Sequence, residues 1–250
     1  ASNDSTKTKW SLTSAAHIEP SKISRPKTSK QTKMKPALTT DILKQEAQRF
    51  AETESEHWEP TLYGVTDGKA VGTYFEHNFR AYLREKYAFT EVSSAGGIDF
   101  PELEVDIKVT SLVQPQSSCP FRSARQKIYG LGYSLLIFVY EKRDDPEKKA
   151  ANLNVRHIIF VSKECTGDFQ TTTGLRKILE NDGNQDDIEA FLRERMLPVD
   201  DIGLAALAEE ILTNPPPVGY LTISNALQWR LQYRRAIEKA GLVPGVERLK

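Results

Sequence analysis

Residues Gly97 to Ser111 read GIDFPELEVDIKVTS, and from Glu102 to Thr110 the pattern alternates strictly. Leu103, Val105, Ile107 and Val109 share one face; Glu102, Glu104, Asp106, Lys108 and Thr110 share the other. A period of two marks a half-buried β-strand. The polar face lines up carboxylates with a lysine, and Asp99 precedes the strand across Phe100 and Pro101, able to fold back over its start. Two acids and a lysine so arranged can hold a divalent metal together with a nucleophilic water. Charges on an ordinary exposed strand also pair across neighbours, so the pattern acquires meaning only from its surroundings.

Those surroundings read as α/β. A helix is expected from about Asp41 to Thr53, with Thr39 and Thr40 offering its N-cap, then a loop over 57–68. A second helix, about Lys69 to Tyr87, returns Val71, Phe75, Phe79, Tyr82 and Leu83 at helical spacing, with Glu76 at the border of that stripe. A short strand over Phe89 to Val92 leads through Gly96-Gly97 to the central strand. Leu112 to Pro120 reads as polar loop and Phe121 to Leu131 as helix. Tyr133 to Tyr140 (YSLLIFVY) and Val155 to Val161 are apolar runs of strand length, the pattern of strands buried on both faces, with a charged turn, Arg143 to Lys149, between them. Strand, helix, strand in this order predicts a crossover and a central mixed sheet flanked by helices. Helices follow at about 171–181, 186–196 and 202–213. Gly219 to Ile223 reads as a strand, and Asn225 to Ala240 as a basic helix closed by Gly241. The mainly helical C-terminal region, 198–250, therefore fits a helix-turn-helix or winged-helix-like DNA-reading module with Gln228, Arg230, Arg234 and Arg235 as base readers. An ordinary terminal helix with a solvated basic face fits the same residues.

At 250 residues and 39% apolar, the chain can bury a full core. Its net charge is zero but unevenly spread. Residues 1–37 carry eight Lys or Arg against Asp4 and Glu19, leaving the remainder, 38–250, acidic. The Ser-, Thr- and Lys-rich arm is either a flexible tail or a segment that orders along DNA, with Lys27, Lys30 and Lys33 meeting phosphates. Cys119 and Cys165 are the only cysteines, with neither CxxC spacing nor a secretory apolar stretch at the start, which reads as reduced thiols in a cytoplasmic protein. No apolar run reaches the ~18 residues a membrane helix needs.

Acid-x-Lys occurs three times: Asp67-Gly-Lys69, Asp106-Ile-Lys108 and Glu147-Lys-Lys149. Only Asp106-Ile-Lys108 lies on a patterned strand, with an upstream acid at a loop-to-strand junction and a helical glutamate before that. This set, Asp99 and then Asp106-Ile-Lys108, resembles the PD-(D/E)xK nuclease superfamily of restriction endonuclease-like fold. The run DFPELEVDIK is most similar to the active-site strand of the mismatch-repair nicking endonuclease and its restriction-enzyme relatives. The resemblance covers about residues 69–141, so the nuclease domain is placed at 38–197. By that resemblance Glu76 belongs to the site, and Lys127 in ARQKIYG, with Gln126 beside it, matches a second lysine on the following helix. Mg²⁺, with Mn²⁺ able to substitute, is expected on Asp99, Asp106, the Ile107 carbonyl and Glu76; Glu104 is an alternative to Asp106. Ile98 stands where the motif name has proline, and the acid of the triplet is Asp rather than Glu; the superfamily permits both.

The expected activity is sequence-specific cleavage of double-stranded DNA to 5′-phosphate and 3′-hydroxyl ends, with two active sites brought together in a homodimer. A nicking or repair endonuclease recruited by a partner, and an inactive DNA-binding regulator, are the other readings. No GxxxxGK[ST] is present for ATP-driven translocation.

Overall fold

The structure, a computed structural model, describes residues 35–90, 97–119, 122–224 and 229–250. Lys27, Lys30, Lys33 and Gln228, together with the end of the strand expected over Phe89 to Val92, lie outside the described residues.

In chain order the helices are α1 (Thr40–Glu56), α2 (Gly68–Lys86), α3 (Arg125–Tyr129), α4 (Phe169–Glu180), α5 (Gln185–Glu194), α6 (Asp201–Thr213) and α7 (Arg234–Lys239). The strands are β1 (Trp58–Glu59), β2 (Val105–Ser111), β3 (Gln116–Cys119), β4 (Ser134–Asp145), β5 (Ala150–Val161), β6 (Thr222–Ile223), β7 (Trp229–Gln232) and β8 (Val246–Arg248). The main sheet runs β1-β5-β4-β2, with β8 also paired to β5. β2 and β4 are parallel, joined through β3 and α3, and β4 and β5 form an antiparallel pair, so the sheet is mixed as expected. Residues 35–250 form one compact unit.

The continuous apolar run in β4 has a simple physical cause. Leu136, Phe138 and Tyr140 face α1 and α2, where Phe50, Phe75 and Phe79 complete one core. Leu135, Ile137 and Val139 face the opposite way into a second core with Leu221, Ile223, Leu231 and Tyr233. A strand covered on both sides has no polar face to alternate with. α3 to α6 close a third core around Leu175, Leu192 and Ile211. No helix among the described residues is long and apolar enough to cross a membrane.

Three expectations need correction. The strand does not start at Glu102: Pro101–Leu103 make a 3₁₀ turn, and Glu104 takes a left-handed conformation (φ 51°) that breaks the alternation. The loop expected over Leu112 to Pro120 contains β3. The basic helix expected over Asn225 to Ala240 is absent, because Trp229–Gln232 is a strand between β3 and β6 and only Arg234–Lys239 is helical. Its cross-strand partner Gln116 lies more than a hundred residues away, a contact no local periodicity reveals.

α1 carries a buried acid. The Glu46 carboxylate, 1% exposed, accepts hydrogen bonds from Tyr82 (2.6 Å), Lys86 (2.9 Å), Tyr87 (3.0 Å) and Arg49 (2.6 Å). Burial pushes its pKa up, but hydrogen bonds from Lys86, Tyr82, Tyr87 and Arg49 outweigh burial and hold it at about 2. A pKa lowered in the folded state contributes stability that is present above the unfolded value and lost as pH falls through the folded one. The window is therefore from about 4.5 down to about 2. Glu46→Gln is expected to cost about 2 kcal/mol at neutral pH, discounted because Lys86 and Arg49 are solvent-screened. It should also flatten the acid limb of stability, as urea titrations at pH 7, 5, 4 and 3 would read. An unchanged slope between pH 5 and 3 would contradict the assignment.

Candidate active site

The Asp99 to Asp106 spacing is the span of a small hairpin. Phe100 and Val105 exchange both backbone hydrogen bonds (Phe100 N to Val105 O, 2.9 Å; Val105 N to Phe100 O, 3.1 Å), with the 3₁₀ turn between them. The flanking residues Asp99 and Asp106 are thereby set opposite one another. β2 is the outer strand of the main sheet, so alternate N–H groups point off its edge. The N–H of Ile107 is one of these, and Asp99 Oδ2 accepts from it at 2.8 Å. In a strand the C=O of a residue points to the same side as its N–H, which puts the Ile107 carbonyl on that edge too.

Asp106 and Lys108, two positions apart, share the other face of β2 from Ile107, and their Oδ2 and Nζ are 2.6 Å apart. Asp106 is 4% exposed. Burial, seconded by the neighbouring charge of Asp99, pushes the Asp106 pKa up against the pull of Lys108. Burial alone would lower Lys108, but Asp106, Tyr133 and Asp99 hold it above its ordinary value, so it stays a cation.

α2 supplies the third side. Asp67 caps it, its carboxylate accepting from Lys69 N at 3.0 Å. Val71, Phe75, Phe79 and Leu83 bury one stripe. Glu76 and Arg80, each one residue past a buried phenylalanine, follow that stripe onto its border at i, i+4 spacing. Arg80 Nη2 lies 2.6 Å from Asp99 Oδ1 and 3.8 Å from Glu76 Oε2. Burial, then the charge of Asp99, raises the Glu76 carboxyl to about 7. Of the residues expected in the site, Glu76, Asp99, Asp106, Ile107 and Lys108 are brought together.

Others are not. Glu104, the alternative ligand, turns out to solvent and pairs with Lys163 at 2.6 Å. Lys127 is buried on α3, where burial lowers its pKa and Asp168, the cap of α4, is the acid that opposes this. Gln126 donates to the Leu131 carbonyl at 3.0 Å. Arg230 and Arg234 are exposed on β7 and α7, whereas the Arg235 guanidinium stacks on Phe169 at 3.7 Å. The residue of this cluster that the sequence did not point to is Arg80, whose one local signal is its place a turn beyond Glu76.

A mixed central sheet flanked by helices is the architecture of a restriction endonuclease-like core, and here an acid, an acid-x-Lys pair and a helical glutamate are gathered at its outer strand. The family model for the type II restriction enzyme NspV matches residues 37–248. The type II restriction enzyme NspV of Nostoc sp. (strain ATCC 29411 / PCC 7524) is 62% identical over 209 residues, 84% of this chain and 95% of that protein. The chain belongs to the NspV family of type II restriction enzymes. It is a hydrolase, a site-specific deoxyribonuclease. No solved structure matches it.

Proposed function

We propose that the chain hydrolyses double-stranded DNA in a Mg²⁺-dependent reaction, leaving 5′-phosphate and 3′-hydroxyl ends. The observation that carries this is Asp99 set opposite Asp106, with Lys108 Nζ 2.6 Å from the Asp106 carboxylate. Among the described residues no three His, Cys, Asp or Glu side chains stand close enough to hold a metal ion as they are; Arg80 and Lys108 pair with the acids instead. The donor set nevertheless fits a hard dication. It consists of carboxylate and carbonyl oxygens, and a bound cation offsets both the burial and the neighbouring Asp99 charge that raise Glu76 and Asp106. Asp99, Asp106, Glu76 and the Ile107 carbonyl would hold Mg²⁺, with Mn²⁺ as a substitute. When bound, the metal neutralises phosphate charge and lowers the pKa of a coordinated water.

The chain's own residues do the rest. Lys108, kept cationic by its acids, donates to the scissile phosphate and orients the water. Asp106 fixes that ammonium. Arg80 orients Asp99 and offsets the acids before substrate arrives. We propose further that Arg230 and Arg234 contact DNA and that the arm over 1–37, through Lys27, Lys30 and Lys33, follows phosphates. Two sites act together in a homodimer working in the cytoplasm.

The test is cleavage of mixed plasmid and phage DNA, methylated and unmethylated, with Mg²⁺, Mn²⁺ or EDTA. Discrete fragments that need a divalent metal, with ends that a ligase joins directly, are expected. Relaxed circles without linear product would mean nicking instead, and intact DNA in every metal would overturn the proposal.

A further inference from the structure

The second sheet, β3-β7-β6, gives the chain a face that the catalytic constellation does not use. In its antiparallel register Gln116 lies opposite Gln232, Ser118 opposite Arg230, and Thr222 opposite Gln232 on the other side. Directly opposed residues share a face. The alternate residues, Ser117, Leu231, Ile223 and Cys119, point the other way: Leu231, Ile223 and Cys119 are buried in the second core, and the Ser117 hydroxyl bonds to Tyr233. The outward face is thus Gln116, Ser118, Thr222, Arg230 and Gln232, with Ser118, Arg230 and Gln232 exposed. Among the described residues, the side chains of Gln116, Gln232, Arg230 and Arg234 make no hydrogen bond or ion pair, the bonds to Thr110 and Ser224 being made by the backbone of Gln116 and Arg230. Gln116, Thr222 and Gln232 also contribute to the lining of a cleft of about 410 Å³, with Gln114, Arg234 and Glu238 around them.

We infer that this face reads base edges in the major groove, so that the target sequence is recognised by a β-sheet rather than a helix. The inference rests on the nuclease reading above and deepens it. Three observations carry it. The chemistry suits bases more than phosphates: the face holds paired amides and hydroxyls with one arginine row and no lysine. A glutamine pairs bidentately with adenine and an arginine with guanine, whereas a phosphate-binding surface is dominated by cations. The size also fits, since a major groove about 12 Å wide admits a two-stranded ribbon, and β3 and β7 are four-residue strands about 5 Å apart. The position is fixed relative to the chemistry. β3 follows β2 after a four-residue turn that Thr110 ties down, its hydroxyl accepting from Gln116 N at 2.9 Å. Cys119, next to the Ser118 and Arg230 row, is buried in one core with Leu135 and Ile137 of β4, the residues that pair with Asp106 and Lys108 of β2. A face braced on the active strand can register the scissile bond to the bases it reads.

The test uses the full chain with Mg²⁺. Fragment ends from the wild type give its target, and kcat/KM is then measured on that duplex and on every single-base substitution of it. Gln232→Leu, Gln116→Leu and Arg230→Ala are each expected to lower kcat/KM on the target about 10- to 100-fold. The loss should centre on one base pair per row, where the wild type's discrimination disappears. Thermal midpoints should stay at the wild-type value because these side chains are at the surface. With a wild type that cuts, two results overturn this inference alone: unchanged base preference in all three variants, or a uniform loss across sequences with a shallower salt dependence, which would make the face a phosphate contact. A wild type that cuts no DNA in any metal overturns the nuclease reading and this inference with it.

Discussion

Lys108→Ala is expected to lower cleavage at least about 10³-fold while DNA binding stays near the wild-type level. Loss of a single preorganised donor to a developing oxyanion costs about 10²–10³ in rate. Lys108 has a second task in this site, because its ammonium at 2.6 Å is the ion-pair partner of buried Asp106. Without it, Asp106 keeps only the burial and the Asp99 charge that raise its pKa, so it is protonated over more of the working pH range. A protonated acid is a poor metal ligand, so part of the defect should be recovered at higher pH or higher Mg²⁺. Lys108→Arg restores charge but not the compact geometry of an ammonium, and should recover only a fraction. Single-turnover cleavage of a labelled duplex, with gel-shift binding in Ca²⁺, separates chemistry from association. A Lys108→Ala enzyme that cuts within tenfold of the wild type would remove the lysine from the mechanism, and with it the reason for assigning Asp106-Ile-Lys108 to the active site.

How much of this was legible from the residues depends on the range of the contact involved. β4, β5 and α2 follow from local periodicity, since burial on both faces or along one stripe writes itself into neighbouring residues. Asp99, Asp106 and Lys108 were legible because a hairpin and one strand position them, all within ten residues. Glu104, the alternative to Asp106, shared its face in the pattern because the alternation of residue types extends back to Glu102, while the backbone is still turning over Pro101–Leu103. Arg80 was missed because its role is a tertiary one: nothing near it in sequence shows that Asp99 will lie 2.6 Å away. β7 was read as helix for a related reason. Trp229–Gln232 lies among residues of good helix propensity, and the ladder to β3 that overrides that propensity is built by residues far off in the chain. Lys127 was placed by its order along a motif, and in the fold it is buried on α3, its backbone carbonyl accepting from Asp168 N at 2.8 Å.

Phe79→Ala is expected to have the largest effect on stability and to reach the active site through α2. Phe79 is fully buried. Its ring lies 5.1 Å from Phe50 and 5.2 Å edge-on to Phe138, joining α1, α2 and β4. Truncating a buried phenylalanine costs about 3–5 kcal/mol, the lost transfer energy plus the cavity left behind. For a unit of this size that lowers the thermal midpoint by on the order of 10 °C. The functional consequence follows from adjacency. Arg80 is the next residue and Glu76 lies one turn back, so the packing of Phe75 and Phe79 sets how α2 presents both to Asp99. Looser packing there should lower kcat more than it raises KM, even 20 °C below the transition, because the acids lose their alignment while the DNA-contacting surface is untouched. Phe79→Leu, which refills most of the volume, should recover both properties in parallel. Calorimetry and steady-state cleavage on the same samples measure the two effects. If Phe79→Ala lost its stability yet cleaved at the wild-type rate in the cold, α2 would be a passive wall, and Glu76 and Arg80 would have to be positioned by something other than the aromatic core beneath them.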